Sequence, residues 1–434
     1  MANGGIAEGQ APAIVDVEVA ELVEQEFQRQ QGRLTLIASD NYVSGAVLNA
    51  LSSAFENTTV EGYPGKRLHG PSPVADALER LAIDRACALF GAKHANVQLH
   101  SGTQANQAVF LALLEPGDTI LSMSLAAGGH FSHAAADNFA GRWLNSIHYG
   151  VETQSHLLDY EELEKLAQVH RPKLIVAGSS AYPRIIDYAR LSQIAQSVDA
   201  LLMADIAHTA GLMATGCIPS PFPHADVVTS TTYKNLRGVR GGVILTNRAD
   251  LAAQIDAAVC PGLQGVPSMS VLAAKAVTFG EALDPSFAIY NDQILANARA
   301  LAQNLIEADF DVVTNGTDTP FVILDMKRAK LAAKDFVLFL DSVGIAANVV
   351  PLAGDKGGFD GASGIRLGVS AVTSRGFAED ECQQISEIVR EAVTVFRNGA
   401  SPRESALIRA SVSELCDRFP LPRLDQLRLR TSAL

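Results

Sequence analysis

The stretch Thr229-Ser-Thr-Thr-Tyr-Lys234-Asn-Leu-Arg-Gly-Val-Arg-Gly-Gly242 follows the strand-like run Asp226-Val-Val-Thr and sets one lysine among hydroxyls, just before a run of arginine and glycine. A lysine placed after a buried strand gives up its proton at modest cost when partly desolvated, and neighbouring hydroxyls can orient an aldehyde partner. Taken singly, such a lysine is more often a solvated loop residue. Working outward, the apolar run Leu201-Leu-Met-Ala-Asp205-Ile-Ala-His208 ends in an acid, and Ala95-Asn-Val-Gln-Leu is followed by His100-Ser-Gly-Thr103-Gln-Ala-Asn106 at the start of an apolar helix. Asp205 alone could be a helix cap, and so could Ser-Gly-Thr.

Together the three elements point to pyridoxal phosphate. Lys234 supplies a Schiff-base amine, and Asp205 pairs with the pyridinium nitrogen and keeps the ring an electron sink. The small residues at the helix N-terminus let backbone N–H groups, with Ser101 and Thr103, reach a phosphate.

The 434-residue chain is 48% hydrophobic and 19% charged, enough to bury one large core and a smaller one. Its net charge of −13 argues against a general nucleic-acid or anionic-membrane binder. Five scattered cysteines suggest a reducing compartment, and no signal peptide or membrane-length apolar span is seen, so a soluble cytoplasmic protein is expected. No metal-ligand set is assigned.

Thr119-Ile-Leu-Ser-Met, Lys173-Leu-Ile-Val-Ala-Gly, Leu201 to Asp205 and Gly242-Val-Ile-Leu-Thr read as strands, with helical periodicity over Asp159–Val169 and Asp187–Val198. That alternation predicts an α/β fold with a mainly parallel sheet and sites at strand ends. A long helix is expected around Ser270–Ala282. Beyond it, strands at Phe310-Asp-Val-Val-Thr, Phe321-Val-Ile-Leu-Asp and Ile365-Arg-Leu-Gly, with helices at Ala333–Ser342 and Glu379–Phe396, predict a smaller α+β domain. The expected division is an N-terminal segment (1–60), a large cofactor-binding domain (61–290) and a small C-terminal domain (291–434), with the boundary between about residues 283 and 300.

From about Leu34 to Phe419 the chain resembles the serine hydroxymethyltransferases, fold-type I pyridoxal-phosphate enzymes. The resemblance rests on Leu36-Ile-Ala-Ser-Asp-Asn41, Glu61-Gly-Tyr-Pro-Gly-Lys-Arg67, His100 to Asn106, Leu114-Glu-Pro-Gly-Asp118, Gly128-Gly-His130, Ser180-Ala-Tyr182, Pro261-Gly-Leu-Gln-Gly265 and Ser363-Gly-Ile-Arg366. It implies that Lys234 carries the cofactor, Asp205 meets the pyridine nitrogen, and His130 stacks on the ring. It further implies that Ser101, Gly102 and Thr103 hold the phosphate, that Ser180 and His208 lie near the ring hydroxyl, and that Thr231 lies near the Schiff base. Arg366, helped by Ser39, would take the substrate carboxylate in a two-pronged pair. Glu61 would be the acid–base group near the hydroxymethyl carbon, reaching across a subunit interface, and Gly265 would cap the partner's phosphate; a homodimer, possibly a tetramer, is implied. Asn348, Leu125, Gly129 and Phe131 match positions of the tetrahydrofolate site.

The chain departs from the family pattern at Thr59, Leu68, His69 and Tyr233, and also at Val266 and Asp40. Thr59 stands where a tyrosine is usual, and His69 and Tyr233 exchange ring types. Space opened there would admit a methyl group at the substrate Cα, so the pocket pattern is similar to that of the α-methylserine hydroxymethyltransferases. The expected reaction interconverts α-methyl-L-serine plus tetrahydrofolate with D-alanine plus 5,10-methylenetetrahydrofolate, with Thr59, His69 and Tyr233 as substrate-binding residues. The alternatives are ordinary serine/glycine hydroxymethyl transfer, a folate-independent β-hydroxy amino acid aldolase, and a non-catalytic regulator or RNA binder.

Overall fold

The structure, a computed structural model, describes residues 16–356 and 358–422. The expected N-terminal segment and small domain therefore reach beyond the described residues at 1–15 and 423–434.

Seven strands form the large sheet: β1 (His94–Asn96), β2 (Thr119–Met123), β3 (Asn145–Tyr149), β4 (Leu174–Gly178), β5 (Leu201–Asp205), β6 (Val227–Thr231) and β7 (Gly242–Thr246). Their order is β1-β7-β6-β5-β4-β2-β3, and β7 runs antiparallel to both neighbours while the pairings from β6 to β3 are parallel. The apolar runs are continuous because both faces are covered. Ile175 and Ala177 of β4 join one core cluster, whereas Leu174 and Val176 join another, as period-2 alternation requires. Burying each of the leucine, isoleucine and valine side chains contributes about 1.5–3 kcal/mol before chain entropy is counted.

The helices begin where the sequence offers a cap. Asp159 accepts from Glu162 N before helix Tyr160–His170, and Asp187 accepts from Arg190 N before Tyr188–Ser197. Each then buries one stripe, Leu163 and Ala167 in the first and Leu191, Ile194 and Ala195 in the second.

A second, antiparallel sheet has β8 (Phe321–Asp325) and β9 (Asn348–Val350) flanking β10 (Gly364–Gly368). The helices predicted over 333–342 and 379–396 are present as Ala333–Ser342 and Glu379–Arg397. Phe310 to Thr314 is not the strand its pattern predicts: Val312 makes one isolated bridge to Leu324, and Thr314 turns to φ 60°. All but the first two residues of the predicted boundary range, about 283–300, belong to one unbroken 23-residue helix, Pro285–Glu307, which starts at the Asp284 cap with proline in its first turn. Strand Leu34–Thr35 pairs with Ile345–Ala346, and Gly368 N donates to Leu36 O, so the start of the chain is stitched beside β10.

Candidate active site

The carboxyl ends of β2, β4, β5 and β6, with the loop after β1, converge on one cleft, the position expected of a ligand site on a parallel sheet. It is lined by Ser101, Gly102, Thr103, His130, Ser180, Asp205, His208, Thr231, Tyr233 and Lys234, all predicted from the sequence, and by Ser132, His133, Ser179 and Ala207.

Lys234 lies three residues past β6, buried, with Nζ 2.9 Å from His208 Nε2. Burial lowers its pKa to about 8, against the opposing charge of Asp205, so a useful fraction is free amine near neutral pH. Burial also keeps His208 neutral, its pKa well below the ordinary value. Because Nε2 accepts from Lys234, the ring proton of His208 sits on Nδ1.

Asp205 ends β5. Burial alone would raise its pKa, but the hydrogen bond from His133, joined by one from Asn106, holds the carboxyl below the usual range. Both Nε2 of His133 and Nδ2 of Asn106 lie 2.9 Å from Oδ2, while Ala207 N donates to Oδ1. His130 N donates weakly to His133 Nδ1, which leaves the proton of that ring on Nε2, facing Asp205. Asn106 also donates to Ser132 Oγ and accepts from Thr229 Oγ1, so the carboxylate is held on three sides. His133 and Asn106 had no assigned role in the sequence reading. A buried asparagine on an apolar helix face was the available signal for Asn106; nothing local marks His133.

Ser101 caps helix Gly102–Leu113 by accepting from Gln104 N, leaving first-turn N–H groups at the cleft. Gly102 has no room for a side chain, since a Cβ there would lie 2.6 Å from Thr231 Cγ2. Thr231 Oγ1 donates to Ala207 O at 3.4 Å.

Arg366 reaches the cleft from β10. It stands in register with Asn348 across the sheet, and Nη2 donates to Asn348 Oδ1 at 2.8 Å while Nη1 donates to Ser180 O. Ser39 is half-buried next to Ala38, against which Gly368 packs.

The predicted residues at the rim are placed differently. Thr59 and His69 are exposed, and neither they nor Glu61 and Gly265 line the cleft of their own chain. Glu61, His69 and Gly265 form a separate group: His69 Nε2 is 3.2 Å from Glu61 Oε2, and a Cβ on Gly265 would lie 3.0 Å from Glu61 Oε1. Phe131 is exposed and stacks on Phe359 at 5.2 Å, whereas Gly129 is buried and Leu125 opens a short 3-10 turn. Tyr233 lies under the Arg240 guanidinium, 4.5 Å from its ring centre, and with Asp40 lines a neighbouring cavity of about 560 Å³.

Ser180 Oγ, His208 Nδ1 and Arg366 Nε are buried without a hydrogen-bond partner among the described residues. Unmet polar atoms of this kind are costly and call for a polar guest. Pyridoxal phosphate fits them: its ring oxygen suits the Ser180 hydroxyl and the His208 Nδ1 proton, its pyridinium nitrogen suits Asp205, and its aldehyde suits Lys234. A carboxylate suits the free edge of Arg366.

A family model described as serine hydroxymethyltransferase matches residues 13–389. The chain is 49% identical over 410 residues to the serine hydroxymethyltransferase of Paramagnetospirillum magneticum, covering 94% of this chain and 96% of the relative. It is 49% identical over 414 residues to that of Acidiphilium cryptum (95% and 96% covered), and 50% identical over 411 residues to that of Ruegeria pomeroyi (94% and 95% covered). The chain therefore belongs to the serine hydroxymethyltransferase family, fold-type I enzymes that use pyridoxal phosphate as cofactor and tetrahydrofolate as cosubstrate.

Proposed function

We propose that the protein transfers a hydroxymethyl carbon between an amino acid and tetrahydrofolate, with serine and glycine as the amino-acid pair. The convergence of buried Lys234, Asp205 and Arg366 on one cleft carries this reading, and the names of the relatives support the pair. Pyridoxal phosphate, when bound, supplies an electron sink for bond cleavage at Cα. The chain's own residues do the rest. Lys234 offers a free amine, Asp205 holds a proton on the pyridine nitrogen, and His208 donates to the ring oxygen. Arg366 clamps the carboxylate and so fixes which Cα bond faces the sink. Glu61 handles the proton on the hydroxymethyl oxygen from a neighbouring subunit, because its own chain holds it outside the cleft. Gly265 caps the partner's phosphate from the same group, which makes the working unit a homodimer. Leu125, Gly129, Phe131 and Asn348 form the folate wall. Among the described residues no helix is long and apolar enough to cross a membrane.

A second reading takes α-methyl-L-serine as donor and D-alanine as product. It is favoured by the grouping of the departures from the family pattern. His69 contacts Glu61, Thr59 and Val266 stand within two residues of Glu61 and Gly265 in the sequence, and Asp40 and Tyr233 share one cavity wall. A pocket discriminates one methyl group by about 1–3 kcal/mol, so both substrates should be tested together. Purified protein with added pyridoxal phosphate is assayed for tetrahydrofolate-dependent cleavage of L-serine and α-methyl-L-serine. Glycine from serine as the faster reaction supports the first reading, and faster release of alanine supports the second. Cleavage independent of folate refutes both and leaves an aldolase.

A further inference from the structure

Lys275 is a buried lysine that the reaction described above does not use. It lies on helix Met269–Ala282, is 1% exposed, and its ammonium donates to three backbone carbonyls: Val97 O at 2.6 Å, Leu99 O at 2.7 Å and Gly242 O at 2.9 Å. Three N–H groups thus meet three acceptors. Those acceptors belong to the two segments that frame the phosphate cradle. Leu99 is two residues before Ser101, and Gly242 N donates back to Leu99 O at 3.0 Å. A Cβ on Gly242 would run into Ser101 O, and one on Gly241 would run into Lys275 itself, 2.9 Å from Nζ. The Arg240-Gly-Gly242 segment also leads back to Lys234, so one side chain fixes the spacing of the cradle and the cofactor lysine.

The charge matters as well as the hydrogen bonds. The cradle side chains Ser101 and Thr103 are neutral, yet the group they would hold carries negative charge. Burying an ammonium is costly, and carbonyls alone could be met by a neutral donor. Burial lowers the pKa of Lys275 to about 7, against the favourable charge of buried Glu79, which is itself bound by Arg67 and Gln98, so an anion in the cradle would favour the charged ammonium. The field of Lys275 reaches His100, next to the cradle, whose pKa falls through burial and then through Lys275.

We propose that Lys275 is a positioning residue for the cofactor phosphate, holding the Ser101–Thr103 cradle in place and supplying positive charge behind it. The inference rests on the pyridoxal-phosphate reading of the cleft. It predicts a dependence on the phosphate rather than on the ring, which pyridoxal isolates, since it lacks the phosphate.

Dissociation constants of pyridoxal phosphate and of pyridoxal are measured on the apo form of the full chain by absorbance, alongside its melting temperature. In K275Q the affinity for pyridoxal phosphate should fall about tenfold or more while that for pyridoxal stays within about threefold. Equal losses for both ligands, or no loss, overturn the proposal. If K275Q does not fold, G241A, which pushes the ammonium aside and keeps its charge, decides by the same ratio. A wild-type protein that binds neither aldehyde refutes the cofactor reading, and the inference with it.

Discussion

Replacing Gly102 by alanine tests the cradle geometry with a built-in rescue. The new Cβ would lie 2.6 Å from Thr231 Cγ2, and the next contacts, Thr231 N at 3.7 Å and Cβ at 3.9 Å, are comfortable. Carbon atoms pack best at about 3.5–4.0 Å, so one methyl group stands roughly 1 Å too close. Neither side yields easily, because Gly102 opens a capped helix and Thr231 ends a strand buried along its whole length. Overpacking of this kind costs about 1–3 kcal/mol. If the helix start moves to relieve it, the N–H groups proposed to hold the phosphate move too, and the dissociation constant of pyridoxal phosphate should rise about tenfold. Thr231→Ser removes the offending methyl while keeping the hydroxyl that donates to Ala207 O, at a cost of about 0.8 kcal/mol. The double variant G102A/T231S should bind the cofactor better than G102A, with a coupling of about 1 kcal/mol or more, whereas G102A/T231V should not. Equilibrium dialysis of the wild type, both single variants and G102A/T231S, with melting curves of each apo form, gives the cycle, and G102A/T231V is the control. Normal cofactor affinity in G102A, or purely additive losses in G102A/T231S, would show that this contact does not set the cradle.

Loading of apo protein with pyridoxal phosphate should accelerate as pH rises through about 8, because burial holds Lys234 there and only its free amine condenses with an aldehyde; a flat profile between pH 7 and 9 contradicts this. Arg366→Lys should lower kcat/KM for the amino acid about 100-fold, mainly through KM, because one ammonium cannot hold Asn348, Ser180 and a carboxylate together. Burial lowers the pKa of His130 to about 4, from 6.5 when exposed, so the unfolded chain binds the extra proton first. The His130 contribution to stability is therefore complete above about pH 6.5 and falls by up to about 3 kcal/mol as pH drops toward 4; urea unfolding of the apo form at pH 7 and 4.5 should show a loss that His130→Gln makes smaller, the buried His208 contributing the rest in the same direction.

Sequence by itself determined the elements whose causes are local. The buried runs of β2, β4, β5 and β7 and the Asp-capped helices at Tyr160–His170 and Tyr188–Ser197 are legible because burial on both faces and capping leave marks within a few residues. Lys234, Asp205 and the Ser101–Thr103 turn were legible for the same reason, each at a strand end or a helix start. The run Phe310 to Thr314 misled because its alternation is strand-like while Thr314 adopts a positive φ, a choice set by its surroundings. Only the tertiary structure decided which partners each site group has. His133 and Asn106 reach Asp205 across separations of 72 and 99 residues, Arg366 meets the carbonyl of Ser180 186 residues away, and Lys275 ties Leu99 to Gly242. It also decided that Glu61 and His69 pair with each other and are not part of the lining of their own chain's cleft. Such contacts depend on how helices and strands pack in three dimensions, and a linear pattern carries no record of that packing.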